Sequence, residues 1–466
     1  MDTARRWTVL AICSTSLFLV GLDTTIVNVA LPSIGAGLHA GTRGLEWTVD
    51  AYTLVLASLL ISSGALADRF GRRRIFQIGL VVFALASVAC AAAPSLGWLV
   101  AARVVQGVGG SMLSPVALAI VVSVITDPKE RAQAIGVWAA IFGASMAAGP
   151  VAGGALVSAL GWRSVFWVSV PLIAAVLALT AVYVPESRSP QPRPVDVPGQ
   201  ALLVALVGGS VALLIEAPHA GWTAPVPVAL AAVTLAAATG FVVTSLRRRS
   251  PLIDVRLFRH APFTAAVLGA VVLFAGLNLT LLLSTLYLQH TRGLSPAAAG
   301  LVTLPMALAA TVCAPLSGYL VGRAGPRPPL LLAGAFVLAG GLCLVTLSDH
   351  TALPVLLLAF LLLGVGIGFA NTPITNTAVA ALPPSRSGVA GGITSTARQF
   401  GAALGVAVAG GLVASSSPAD LPAASRPGWL LVATCGAVLL AVARLSPTLR
   451  TTPQPTTRPA TATSRA

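Results

Sequence analysis

From Thr8 onward the chain alternates long apolar runs with short stretches of Arg, Pro and Gly. About 20 consecutive apolar residues make enough helix to cross the roughly 30 Å hydrocarbon core of a bilayer. Bounding each run by charge or by Pro/Gly clusters predicts helices over 8–30, 45–67, 75–93, 97–122, 132–158, 162–184, 198–216, 224–246, 263–287, 294–320, 328–347, 353–378, 387–413 and 428–446. Fourteen membrane-spanning helices follow. Arg5 and Arg6 ahead of the first run imitate a signal peptide, but that run is too long and continues through polar residues, so it is expected to be retained.

Composition agrees: of 466 residues, 56% are hydrophobic and 9% charged, with a mean hydropathy of +0.91. A soluble domain of this size carries about a quarter of its residues charged. The net charge of +15 does not indicate nucleic acid, because the arginines are scattered through short loops. With the N-terminus inside, all but six of the 28 basic residues fall in cytoplasmic loops and tails; Arg43, Arg163, Arg292 and Arg426 lie in external loops, and Arg103 and Arg398 in spans. The positive-inside rule then puts both termini in the cytoplasm.

Five cysteines, all in apolar runs and with no CxxC, give neither a disulfide framework nor a metal site. The single lysine, Lys129, has no glycine-rich loop beside it, so no phosphate-binding loop is present. All five histidines fall in expected loops. No cofactor or metal is expected, and any proton carried through the membrane must ride on carboxylates.

The chain also repeats itself. GALADRFGRRR from Gly64 matches GYLVGRAGPR from Gly318, GVGGSMLSP from Gly107 matches GVGIGFANTP from Gly364, and Arg131 matches Arg386, at offsets of 254 to 257. Six spans, two inserted spans and six more is the natural parse. It divides the chain into an amino-terminal bundle (1–184), a linker with two inserted helices (185–262), a carboxy-terminal bundle (263–446) and a disordered cytoplasmic tail (447–466). Pro190, Pro192 and Pro194 mark the first boundary.

Eight ordered motifs carry a resemblance: LDTTIVNVALP (Leu22 to Pro32), Trp47 with Tyr52, GALADRFGRRR (Gly64 to Arg74), Arg103 with Gln106 and Gly107, GPVAGG (Gly149 to Gly154), GWRSVFWVSVP (Gly161 to Pro171), PLIDVRLF (Pro251 to Phe258) and STARQFGAALGVA (Ser395 to Ala407). In these the whole chain resembles the fourteen-spanner drug:proton antiporter family of the major facilitator superfamily. The resemblance implies an all-α integral membrane protein with the major facilitator fold, two six-helix bundles plus two inserted helices. It implies a proton-coupled antiporter, not an enzyme, that exports small amphiphilic drugs or antibiotics across the cytoplasmic membrane by alternating access; a monomer is the expected unit. A proton-coupled metabolite symporter of the same fold is the alternative. A membrane enzyme or sensor would need a catalytic cluster or an output domain, and the sequence offers neither.

Asp23 is the clearest chemical candidate, because a carboxylate in an apolar helix marks an ion pathway or substrate site. At ~1.5 Å per residue it lies roughly 22 Å into the core. Arg103 enters from the other side to about the same depth, and a buried arginine needs a partner. Asp23 can serve directly or through Gln106, one turn away. Asp23 and Arg103 are therefore the expected proton-coupling pair, although an arginine bonded only to backbone carbonyls is the plainer reading. Asp23, Asn28, Asp50, Gln106, Asn371 and Arg398 are the expected substrate-binding residues. Asp50 could equally reach external water, and Arg398 could instead anchor the second half through Asn371 or Gln399. Glu216 is expected at the external interface.

Gly64, Asp68, Arg69, Gly71 and Arg72 form an expected gating loop. The resemblance implies that Asp68 docks near the start of span 13, around Ser387, when the outer side is open. Gly149, Pro150, Gly153 and Gly154 are the expected gating segment of span 5, by resemblance the motif of antiporters.

Overall fold

A computed structural model of the chain describes residues 3–125, 127–188, 196–248, 250–382, 387–414 and 420–445. The expected tail, 447–466, and Pro190, Pro192 and Pro194 lie outside these residues, as do Arg386 and the side chains of Arg131 and Ser387.

The described chain is helical throughout. Its helices are α1 (Thr3–Leu38), α2 (Thr42–Phe70), α3 (Arg72–Ala91), α4 (Leu96–Val124), α5 (Pro128–Leu160), α6 (Ser164–Tyr183), α7 (Val197–Ala220), α8 (Pro225–Arg247), α9 (Ala261–Thr291), α10 (Pro296–Ala324), α11 (Arg327–Val345), α12 (Leu353–Ala380), α13 (Ser387–Val413) and α14 (Leu421–Leu445). Each covers one expected span. Among the described residues thirteen are long and apolar enough to cross a membrane, and α5 contributes the apolar stretch Ala148–Leu160. Large apolar side chains also cover the outside, Leu85, Val182, Leu235 and Leu301 among them. That surface suits lipid. The protein is a multi-pass membrane protein.

The main departures are at helix ends and inside α4. Helix α1 runs through Pro32 to Leu38, well past the expected end at residue 30; packed neighbours let a membrane helix tolerate a proline. Helix α4 is interrupted at Met112 and Leu113, between the glycines at 109 and 110 and Pro115. Between α2 and α3, Gly71 takes φ +112, a conformation that side chains resist. The Glu186 carboxylate accepts from the backbone N–H groups of Arg73 and Arg74, at 3.1 and 3.2 Å, where the start of α3 favours an anion.

Helices α1–α6 pack into one bundle and α9–α14 into another. The bundles meet chiefly through α5 against α10 and α2 against α13, with α1 touching α9. Helix α7 lies along both α2 and α13, and α8 leans on α7. The face that carries the start of α1 is called here the terminal face, and its opposite the far face.

Toward the far face the seam is closed where α1 meets α9 and where α5 meets α10. Gln289 Nε2 donates to the Val29 carbonyl at 3.1 Å, and the Ala297 N–H to Ser158 Oγ at 3.2 Å. Helix α5 fits between α1 and α10 because its glycines face both ways: Gly149 and Gly153 abut Thr25 and Ile26, and Gly154 abuts the backbone at Pro296 and Ala297. A side chain at 154 would overlap the Pro296 carbonyl. Gly154→Val is therefore expected to cost about 1–3 kcal/mol, read as a lower Tm of the purified protein; an unchanged Tm would mean that this contact is not under pressure.

Candidate functional site

Three groups of polar side chains in the apolar helices contain the expected site residues of the spans. The first is a closed network inside the amino-terminal bundle. Arg103 of α4 is fully buried, and its Nη1 donates to Asp23 Oδ2 at 2.6 Å and to Gln106 Oε1 at 2.7 Å. Its Nε donates to the Thr48 carbonyl of α2 at 3.0 Å. The other Asp23 oxygen, Oδ1, accepts from Gln106 Nε2 at 3.0 Å, and the same amide donates to Ser87 Oγ of α3. The guanidinium carbon stands 4.3 Å from the centre of the Tyr52 ring, within cation–π range. Four helices thus satisfy one carboxylate and one guanidinium in a neutral, water-excluded cage.

This cage matches the equal depths counted along the two helices, but it alters the expected lining of the substrate site. Asp23 is 1% exposed and Gln106 fully buried, and both point into the amino-terminal bundle. Neither lines an opening between the bundles. Depth follows from the number of residues along a helix, whereas the rotation of α1 about its own axis does not.

The second place is the carboxy-terminal bundle. Arg398 Nη1 donates to Asn371 Oδ1 at 2.9 Å, and Nη2 to Ser395 Oγ at 2.9 Å. The guanidinium carbon is 6.0 Å from the Phe274 ring centre. Of the two roles left open for Arg398, this geometry is the anchoring one through Asn371.

The third place is the seam. Asn28 is near the α5–α10 contact, in a narrow cleft with Thr25, Pro150, Gln289 and Gly300. Asp50 is fully buried rather than open to external water, and Leu54, one turn on, packs with residues of α7 and α13. One turn before it stands Glu46, which the sequence reading passed over: a charge close to a helix start ordinarily reads as a solvated end. A glutamate four residues before Asp50 in an otherwise apolar helix was the available signal. The six expected substrate residues therefore do not form one wall.

Glu216 is near the far-face end of α7, 8% exposed, and its carboxylate accepts from Arg43 Nη2 at 2.6 Å, Arg43 Nε at 2.9 Å and Trp47 Nε1 at 3.1 Å. These bonds fasten inserted helix α7 to the start of α2. At the other end of α7, Gln200 bonds to Ser62 and to the Ser58 carbonyl. The inserted helix is stapled to α2 at both ends.

In the expected gating loop Asp68 accepts from Arg72, Nη2 at 2.8 Å and Nε at 3.1 Å. The docking partner expected around Ser387 lies among side chains outside the described set. Arg69 is exposed, beside Phe70, and Gly64 has open space around it.

Two like helical bundles meeting along a seam through the membrane, with the charges buried within and between them, define a solute transporter rather than an enzyme. Comparison with known proteins makes the class specific. The Major Facilitator Superfamily profile matches residues 13–406, and the chain belongs to that superfamily. It is 40% identical over 405 residues to the multidrug resistance protein Stp of Mycobacterium tuberculosis, covering 87% of this chain and 75% of that one. It is 35% identical to the tetracenomycin C resistance and export protein of Streptomyces glaucescens, over 88% of this chain and 76% of that one. A crystal structure of a bacterial homologue of the lysosomal transporter Spinster superposes with a TM-score of 0.61 at 17% identity, covering 96% and 97% of the two chains. That likeness concerns the fold.

Proposed function

We propose that this protein is a proton-driven exporter of small amphiphilic molecules, drugs and antibiotics among them, in the cell membrane with both termini in the cytoplasm. The terminal face is then cytoplasmic and the far face external. Residues 1–184 and 263–446 are the two rocking bodies, with 185–262 inserted between them, and the monomer is the working unit. Names of relatives such as the tetracenomycin C exporter support the substrate class.

The observation that carries the coupling is the sealed Asp23–Arg103 pair. Ionised, Asp23 holds α1 to α4 through Arg103 and Gln106. Protonated, it gives up the strongest of those bonds, because a neutral carboxyl attracts a guanidinium far less. A proton reaching Asp23 from outside thus loosens α1 against α4 and favours one state of the seam, while cargo favours the other. Asn28, in the cleft between α5 and α10, supplies a polar contact for cargo at the seam, Arg398 and Asn371 brace the carboxy-terminal bundle, and Gly64–Arg72 with Gly149–Gly154 guide the rocking.

The test is accumulation of tetracenomycin C by everted membrane vesicles whose lumen has been acidified. Export predicts uptake into the lumen that a protonophore abolishes. Loss of preloaded compound from the lumen, driven by the same gradient, would instead mean symport into the cytoplasm and overturn the reading.

A further inference from the structure

Glu46 is 1% exposed, and neither of its carboxyl oxygens has a hydrogen-bond partner among the described residues. Asp50, one turn on, is fully buried; its Oδ1 meets Thr53 Oγ1 at 3.3 Å and its Oδ2 meets no partner among them. The Glu46 carboxyl lies directly over Gly410 of α13, where a methyl group would overlap it. Helices α2 and α13 belong to different bundles. Glu46 is therefore in the seam itself, and Asp50 stands one helical turn behind it, outside the bonds of the Asp23–Arg103 cage.

The charged groups around them are already committed. On α2, Arg43 is bonded to Glu216 of α7, and Asp68 to Arg72 at the other end. On α7, the His219 ring bonds to the Ile215 carbonyl. Arg103 of α4 reaches α2 only at the Thr48 carbonyl and is paired with Asp23 of α1. On α13, Arg398 is about 18 Å along the helix from Gly410 and held by Asn371 and Ser395. An ionised carboxylate buried without a cation or donor is untenable. In the closed seam Glu46, which has neither among the described residues, carries its proton, and Asp50, with the Thr53 hydroxyl at one oxygen and no cation among them bonded to it, carries one as well.

Space for external water lies close to Glu46. A cavity of about 340 Å³ opens between the bundles on the far face, lined by Thr42 and Leu45 of α2, Val413 of α13, His290 and Leu421. Leu45 precedes Glu46, and Val413 is one turn from Gly410.

We propose that Glu46 and Asp50 form a second proton-binding site, distinct from Asp23–Arg103, whose loading is required for the two bundles to close on the external face. The orientation rests on the function proposed above. When the bundles part, external water hydrates both carboxyls and each releases its proton to that water; before they close, each carboxylate takes one proton back from it. The protons enter and leave on one side, so the site gates the cycle without adding to the protons transported. External acid favours closure, and external alkali holds the seam open.

Two measurements on the full-length protein in lipid nanodiscs test this. Infrared spectra at neutral pH should contain the C=O stretch of a buried protonated carboxyl that Glu46→Gln removes and Asp23→Asn does not. An E46Q spectrum unchanged in that region would show Glu46 ionised and overturn the proposal. Glutamine also mimics the loaded state without disturbing packing. At alkaline pH, hydrogen exchange at the outer ends of α2 and α13, corrected for intrinsic rates, should be about tenfold faster in wild type than in the E46Q/D50N double variant. Equal exchange in the two proteins would overturn the gate. Persistence of the pH-dependent opening in D23N, whatever that variant does to transport, keeps this result separate from the coupling proposal.

Discussion

Asp23→Asn is expected to reduce proton-driven accumulation in everted vesicles to the level of vesicles without the protein. Asparagine keeps the size of the side chain and its one amide oxygen can still accept from Arg103, although not the Gln106 bond at the second position, and it cannot exchange a charge for a proton. The two states of α1 against α4 would then differ by nothing that pH controls. Downhill exchange of the same compound should persist and lose its pH dependence, because the seam residues are untouched. Gradient-driven accumulation at the wild-type level would remove Asp23 from the mechanism. The readout must be flux rather than resistance alone, since a destabilised transporter also lowers resistance.

Arg103→Leu is expected to have the largest effect on stability. The guanidinium serves Asp23, Gln106 and the Thr48 carbonyl together, and both members of the ion pair have side chains at most 1% exposed. Removing one partner of such a pair costs about 3–5 kcal/mol, because the other is left as an uncompensated buried charge. The D23N/R103L double variant should recover more than half of that loss, since the orphaned charge is then gone. A thermal-unfolding cycle of the four proteins measures the coupling. Additive losses would mean that the two residues contribute independently and that the cage is not a unit. Arg103→Lys is not a conservative replacement, because a single ammonium cannot reproduce the fork that reaches the carboxylate and the Thr48 carbonyl at once.

The fold was largely legible because each membrane helix announces itself by length and apolarity, and because Arg-rich loops and two matched sets of motifs give the order and duplication of the spans. The Asp23–Arg103 pair was legible for a simpler reason: two opposite charges in apolar helices at equal depth have few other partners. What the pattern could not supply is helix rotation. Helix α1 is apolar on nearly every face, so nothing in its periodicity tells which side meets α4 and which meets the seam. Asp23 and Gln106 were accordingly assigned to a cavity wall, whereas they face inward. Glu46 was missed because a charge one turn into a helix resembles an ordinary solvated end until Gly410 of a distant segment is seen to lie against it. The partners of Glu216 were hidden for the same reason, Arg43 and Trp47 being some 170 residues away. Long-range packing, rather than local preference, decides such positions.

The central claim is that one carboxyl, Asp23, trades a proton for its bond to Arg103 as cargo is bound. The most direct measurement is the pH change when tetracenomycin C is added to purified protein in weakly buffered, mildly acidic solution. The account predicts that wild type releases protons in proportion to compound bound and that D23N binds the compound while releasing none. The same release from D23N as from wild type would contradict it.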